Sequence, residues 1–110
     1  MQEFTKRVIE VIRDIPPGTV MSYGQVAASA GSPRAARQVV RILHSMSGKY
    51  GLPWHRVINA KGEIALQEPM HRDLQISMLE EEGVEVSRGG KVDLTRYGAI
   101  NSDNKQEDRR

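Results

Sequence analysis

The chain has no cysteine, and that absence excludes more than any other feature of its composition. Without a thiol there is no disulfide framework, no thiolate metal site and no sulfur nucleophile, the protein group best suited to accept an alkyl group at neutral pH. Long apolar runs are also missing. Nothing approaches the ~20 residues a membrane-spanning helix requires, and the first residues carry neither the apolar core nor the cleavage site of a secretory signal. A cytoplasmic protein with no membrane partner is expected. His44, His55 and His71 lack metal-ligand spacing, so no metal and no cofactor are expected. At 110 residues the chain fits one domain with a modest core.

Acids are absent from the middle of the chain. Residues 15–62 hold Arg34, Arg37, Arg41, Lys49, Arg56 and Lys61 and neither Asp nor Glu, which makes that stretch +6. Residues 1–14 balance three bases with three acids, and residues 63–110 set seven bases against eleven acids, so 0, +6 and −4 give the net +2. A basic surface confined to one part of a fold is a footprint for a polyanion, although charge alone also fits a chance run of surface residues. The acidic last third reads as a solvated surface.

Periodicity places those arginines. Phe4, Val8, Val11, Ile12 and Ile15 recur at helical spacing, predicting an amphipathic helix over residues 3–14 that Pro16-Pro17-Gly18 stops. After an extended Thr19-Val20-Met21, Ser22 and Gln25 stand at capping-box spacing and open a second helix ending at Gly31. Ser32-Pro33 then predicts a third helix, with the hydroxyl as N-cap and proline at the first helical position. On it Ala36, Val39, Val40 and Leu43 share one stripe, while Arg34, Arg37, Gln38, Arg41 and Ser45 share the opposite face. Two short helices around a Gly-Ser-Pro turn, the second with a basic, acid-free face, predict a helix-turn-helix. A plain solvated face is the competing reading, but such faces usually alternate signs.

Gly48 to Gly51 reads as a loop, and Arg56–Asn59 with Lys61–Ile64 as two short strands around a turn, a wing. Pro69 opens a fourth helix with Leu74, Met78 and Leu79 on one side, closed by Gly83. Val84–Val86 and Val92–Leu94 read as edge strands or extended segments, with Arg88-Gly89-Gly90 a turn. The expected fold is mainly α with short β strands: a winged helix-turn-helix single domain over residues 1–97, then a disordered polar tail over 98–110.

Three motifs stand in order: Gly18-Thr19-Val20-Met21-Ser22-Tyr23-Gly24-Gln25-Val26-Ala27, Pro33-Arg34-Ala35-Ala36-Arg37-Gln38-Val39, and Pro53-Trp54-His55-Arg56-Val57-Ile58. Together they resemble the C-terminal domain of O6-alkylguanine-DNA alkyltransferases over about residues 3–86. With tryptophan at the alkyl-acceptor position, the chain resembles the alkyltransferase-like branch, which binds the lesion without repairing it. The resemblance implies minor-groove binding, rotation of the damaged nucleotide out of the stack, transfer of the lesion to nucleotide-excision-repair damage-recognition proteins, and a monomer. The alkyltransferases' N-terminal domain has no counterpart here, as is usual in that branch.

By that resemblance Tyr23 crowds the lesion's 3′ phosphate, and Arg37 fills the vacated space and pairs with the orphaned base. Flipping costs a few kcal/mol, which a stacking, donating guanidinium offsets in part. From the residues alone, a half-buried wing tyrosine and a phosphate-contacting arginine are the simpler readings. Trp54 lines the lesion pocket with Tyr23, Val57 and Met21; its plainer role is core packing. Val57 matches a position whose backbone meets the flipped base. Ser32, Arg34, Ala35, Gln38 and Arg41 complete the expected DNA surface. His55 and Glu82 match the pair that activates the family's thiol; with no thiol to deprotonate, they read as a hydrogen-bonded pair holding the Trp54 loop, and no catalytic residue is assigned.

Two departures stand out. The family's glycine-rich loop falls at Leu66-Gln67-Glu68-Pro69, which leaves the pocket roof unassigned, and Met46 stands where an asparagine is common. The alternatives are a small winged-helix transcription or architectural factor reading intact DNA through Arg34, Arg37 and Arg41, and an enzyme in which His55 and Glu82 activate water.

Overall fold

The computed structural model of the chain describes residues 1–66 and 68–99. In chain order it comprises α1 Glu3–Arg13, β1 Met21–Ser22, α2 Tyr23–Ser29, α3 Ala36–Tyr50, a 3₁₀ turn Trp54–Arg56, β2 Val57–Ile58, α4 Pro69–Glu81 and α5 Leu94–Tyr97. The fold is mainly helical, with a two-stranded parallel sheet.

The sheet divides the core. Met21 pairs with Val57 and Ser22 with Ile58, and strand alternation sends successive side chains to opposite faces. Met21 and Val57 join Val8, Ile12, Val26, Val39 and Leu43 between the first three helices. Val20 and Ile58 join Ile64, Leu79, Val84, Val92 and Tyr97 beneath α4. Each fully buried Val, Ile or Leu contributes ~1.5–3 kcal/mol by leaving water, so these side chains set the relative placement of the helices. A minimal sheet suffices because the apolar faces on either side of it are covered by helices.

The helix-turn-helix forms as its sequence predicts at α2 and differs at α3. Ser22 accepts from the Gln25 amide at 3.0 Å while the Gln25 side chain accepts from the Ser22 amide at 2.9 Å, a complete capping box. Gly31 takes φ +100, the left-handed turn that releases the chain from α2. Ser32, however, caps nothing: its carbonyl accepts from Ala35 N at 3.0 Å, Ser32 to Ala35 form a turn, and α3 starts at Ala36 with no side-chain cap. The expected loop at Gly48 is also absent, since α3 continues to Tyr50 and the left-handed Gly51 ends it. Summed over a helix already packed through Val39, Ile42 and Leu43, the cost of one internal glycine, ~1 kcal/mol, is easily outweighed.

The wing is a turn rather than a ladder. Asn59 Oδ1 accepts from the amides of Lys61 and Glu63 at 3.0 and 2.8 Å, but β2 pairs with β1 and Glu63 bridges to Lys91. Val84–Val86 forms no strand, and Leu94, expected in an edge strand, opens α5, with Asp93 accepting from Thr95 N at 3.0 Å. The packed body reaches two residues beyond the expected boundary at 97, because Ala99 N donates to Val20 O at 2.8 Å. Residues 100–110 of the expected disordered tail lie outside the described residues. None of the described helices is long and apolar enough to cross a membrane.

Candidate nucleic-acid interface

One face of α3 is the basic surface. Arg37 and Arg41 are exposed on it, Arg34 is exposed in the turn before it, and none of the three enters an ion pair among the described residues. Ser32 is exposed beside them, with Ala35 and Gln38 half-buried. The first turn of α3 has no acid and no capping side chain, so its leading amides and the positive end of the helix dipole face outward with the arginines. Arg56 does not belong to this surface, although it counted toward the sequence's basic stretch. Its side chain is 15% exposed and its charge is spent on Glu82.

The rest of α3 turns toward a cleft of about 730 Å³, within the size of small-ligand sites. Val40, Leu43, His44 and Ser47 form one wall, spaced as a single helical ridge. His71, Leu74 and Gln75 of α4 form the opposite wall, Leu66 and Glu68 stand at the approach to α4, and Tyr23, Trp54 and Val57 complete the lining. Tyr23, Trp54 and Val57 are thus brought together as expected, whereas Met21 is not. It is 7% exposed, packed in the core with Val8 and Val26. Val40, read from the sequence as core, is 44% exposed and lines the cleft instead.

Register also fixes the pair that faces the cleft. Tyr23 directly follows Ser22 of β1 and Trp54 stands three residues before Val57 of β2, so the two-strand sheet sets their separation. Burial pushes the Tyr23 phenol above its ordinary value, so it stays a neutral donor and would not repel a phosphate. Trp54 begins a 3₁₀ turn after Pro53 and meets the His55 ring edge-on, with centroids 6.2 Å apart.

Beneath Trp54 lies a carboxylate with three partners, His55, Arg56 and Gly18. His55 Nε2 stands 2.8 Å from Glu82 Oε2, and with Glu82 ionised it donates there. Arg56 donates from Nε at 3.0 and 3.2 Å and from a terminal nitrogen at 2.6 Å, while its other terminal nitrogen holds Ile15 O at 2.8 Å. Gly18 N is the third partner, donating at 3.1 Å. The Arg56 guanidinium, helped by His55 and the Gly18 amide against the opposing effect of burial, lowers Glu82 to about 2. His55 Nδ1 is buried and has no partner, so the imidazole has no exposed atom with which to activate water. Gln75, also buried, donates from Nε2 to the carbonyls of His55 and Val57 at 3.1 and 3.3 Å.

Sequence reading missed Arg56 as the main partner of Glu82, and it missed Gln75 and the α4 wall. A glutamine among Leu74, Ile76 and Leu79 was the available signal for Gln75. Nothing in the chain's periodicity marks the wall.

A helix-turn-helix with an unpaired basic face beside a ligand-sized cleft is the build of a DNA-binding domain with a pocket. Residues 3–84 match the family described as 6-O-methylguanine DNA methyltransferase, DNA binding domain, and the chain belongs to that family. A DNA base-flipping protein of Escherichia coli is 48% identical over 95 residues, covering 86% of this chain and 72% of that protein. Alkyltransferase-like protein 1 of Schizosaccharomyces pombe is 39% identical over 102 residues, 88% of this chain and 94% of the relative. The crystal structure of S. pombe Atl1 in complex with damaged DNA containing O6-carboxymethylguanine superimposes with a TM-score of 0.82 at 35% identity, covering 92% of this chain and 98% of that one.

Proposed function

We propose that this protein binds O6-alkylguanine in duplex DNA, rotates the damaged nucleotide into the cleft of Trp54, and holds it there without transferring the alkyl group. The observation that carries the reading is Trp54 beside Tyr23 in a ligand-sized cleft of a chain that has no cysteine. Trp54 takes the position of the alkyl acceptor and offers a flat apolar wall, which favours an alkylated base over guanine and leaves nothing to accept the alkyl group.

Each neighbour then has a role. Arg34 and Arg41 bind phosphates, as the uncapped start of α3 does through its amides. Arg37 enters the stack and pairs with the orphaned base. Tyr23, kept neutral by burial, presses the backbone at the lesion and promotes rotation. Ser32, Ala35 and Gln38 provide close, small or polar contact, and Val57 reads the base edge through its backbone. His55 and Glu82 hold the Trp54 turn. A lesion that is held and not repaired must pass to other proteins, and nucleotide-excision-repair damage-recognition factors are the partners we assign to that step. The protein acts as a monomer.

Equilibrium binding to matched duplexes differing only in one O6-methylguanine, with the DNA recovered and analysed, tests this. Tighter lesion binding with the methyl group intact is expected. Equal binding would return the protein to the ordinary winged-helix readers of intact DNA, and loss of the methyl group would make it an enzyme.

A further inference from the structure

We propose that the cleft sorts O6 adducts by charge, with Glu68 at its rim disfavouring anionic adducts and admitting those that end in a neutral or cationic group. This rests on the lesion-binding reading above. Among the described residues Glu68 is the one carboxylate that lines the cleft, and no lysine or arginine lines it. The basic groups of α3, Arg37 and Arg41, are exposed on the helix and do not line the cleft.

Glu68 is held in place. It caps α4, accepting from the His71 amide at 2.8 Å, and the His71 ring nitrogen Nδ1 stands 2.7 Å from the same oxygen. Pro69 follows at the first helical position and limits the backbone further. These contacts, the His71 amide first, hold the carboxyl below the usual carboxylate range, so it is ionised at neutral pH. Around it the rim is apolar: Val40, Leu66 and Leu74 are all exposed, and their side chains reduce the solvent available to screen a charge in the cleft. The other titratable groups of the cleft are Tyr23, His44 and His71. Among the described residues that line the cleft, Glu68 is the one acid an adduct meets.

A methyl ether is neutral, a carboxymethyl ether is an anion and a 2-aminoethyl ether is a cation, yet all three present the same guanine to Trp54. Because the Glu68 side chain is 56% exposed, solvent and salt weaken its field. The expected discrimination is about three- to tenfold between neutral and anionic adducts, falling as salt is raised.

Fluorescence anisotropy at about pH 8 on four duplexes identical except for one position, carrying guanine or its O6-methyl, O6-carboxymethyl or O6-(2-aminoethyl) derivative, tests the proposal. Wild type should bind the carboxymethyl duplex about three- to tenfold more weakly than the methyl one, and the aminoethyl duplex at least as well. Glu68→Asn removes the charge and keeps a good N-cap, so the methyl affinity should hold within about twofold while the carboxymethyl penalty disappears. Equal binding of methyl and carboxymethyl duplexes by wild type, or an unchanged ratio in Glu68→Asn, overturns the charge filter. Should the variant lose its circular-dichroism signal, the salt series on wild type decides, and a salt-independent ratio overturns it. If no adduct duplex is bound more tightly than guanine, the lesion-binding reading itself fails; if the methyl duplex is preferred and the ratio is flat, only the charge filter does.

Discussion

Replacing Glu82 by glutamine removes the charge that three groups converge on, and the cost follows from its titration. The Arg56 guanidinium above all, with His55 and Gly18, lowers this carboxyl from 4.5 to about 2. At ~1.4 kcal/mol per pH unit, the ionised form is favoured in the fold by ~3 kcal/mol. Both partners are mostly buried, 15% exposed for Arg56 and 17% for Glu82, so solvent screening removes little of this. An independent route gives a similar figure. Breaking a buried pair by neutralising one member costs ~3–5 kcal/mol, reduced here because the amide oxygen still accepts one bond. We expect Glu82→Gln to lose ~2–3 kcal/mol near neutral pH.

The pH dependence separates this from a general packing defect. Because the folded carboxyl is depressed, the unfolded chain takes up the proton first as pH falls. The stabilisation is therefore complete above about 5, declines through 4.5 and is gone below about 2. Urea unfolding of wild type and variant should differ by ~2–3 kcal/mol near pH 7 and by only ~1 kcal/mol near pH 3, where two-thirds of the linkage has been lost. Taking the difference cancels every other titrating group. A gap under ~1 kcal/mol at neutral pH, or one equally wide near pH 3, would refute the assignment of Glu82 as the charged anchor of this loop.

Arg37→Ala should weaken binding to an O6-methylguanine duplex about tenfold or more, against about two- to fourfold for Arg41→Ala; equal effects in parallel titrations would leave Arg37 a phosphate contact. Trp54→Ala should reduce the preference for methylguanine over guanine about tenfold, with affinity for the intact duplex within about twofold, as matched anisotropy titrations would show. Gly62→Ala should lower stability by ~2 kcal/mol or more in urea unfolding, because Gly62 sits at φ +80 and a Cβ there would lie 2.5 Å from the Val92 carbonyl oxygen. A loss below ~0.5 kcal/mol would mean the turn relaxes freely.

What could be read in the sequence was what local rules determine. The capping box at Ser22 and Gln25, the stop at Pro16-Pro17 and the apolar stripe of Val8 and Ile12 act within one or two turns, and all three form as predicted. The expectations that failed depend on partners far along the chain. Val40 looks like core because its neighbours Val39 and Leu43 are; only the arrival of α4 on that side turns it into a cleft wall. Met21 stands two residues before Tyr23, but the side chains of α1 and α2, Val8, Ile12 and Val26, enclose it in the core. Val57–Ile58 reads as half of a hairpin with the following strand, yet its pairing partner lies 36 residues earlier, at Met21↔Val57. Motif resemblance recovered Tyr23 and Trp54 as neighbours because motif order carries long-range contact that periodicity does not. It did not supply Arg56, since within the Pro53 to Ile58 motif an inward guanidinium and an outward one look alike.

The Trp54 turn is clasped twice by the same helix, and that gives His55 and Glu82 a structural use in a chain without a thiol. Gln75 of α4 holds the carbonyls of His55 and Val57, and Glu82 at the end of α4 holds the side chains of His55 and Arg56. Arg56 carries the clasp on to Ile15 at the end of α1, and Glu82 carries it to Gly18 just before β1. One carboxylate therefore joins α4, the turn and the segment that leads to Tyr23. Removing it would loosen both Trp54 and Tyr23 even with no proton to transfer. A pocket whose walls are fixed before the ligand arrives loses less entropy on binding, and under the lesion-binding proposal that is what His55, Arg56 and Glu82 contribute.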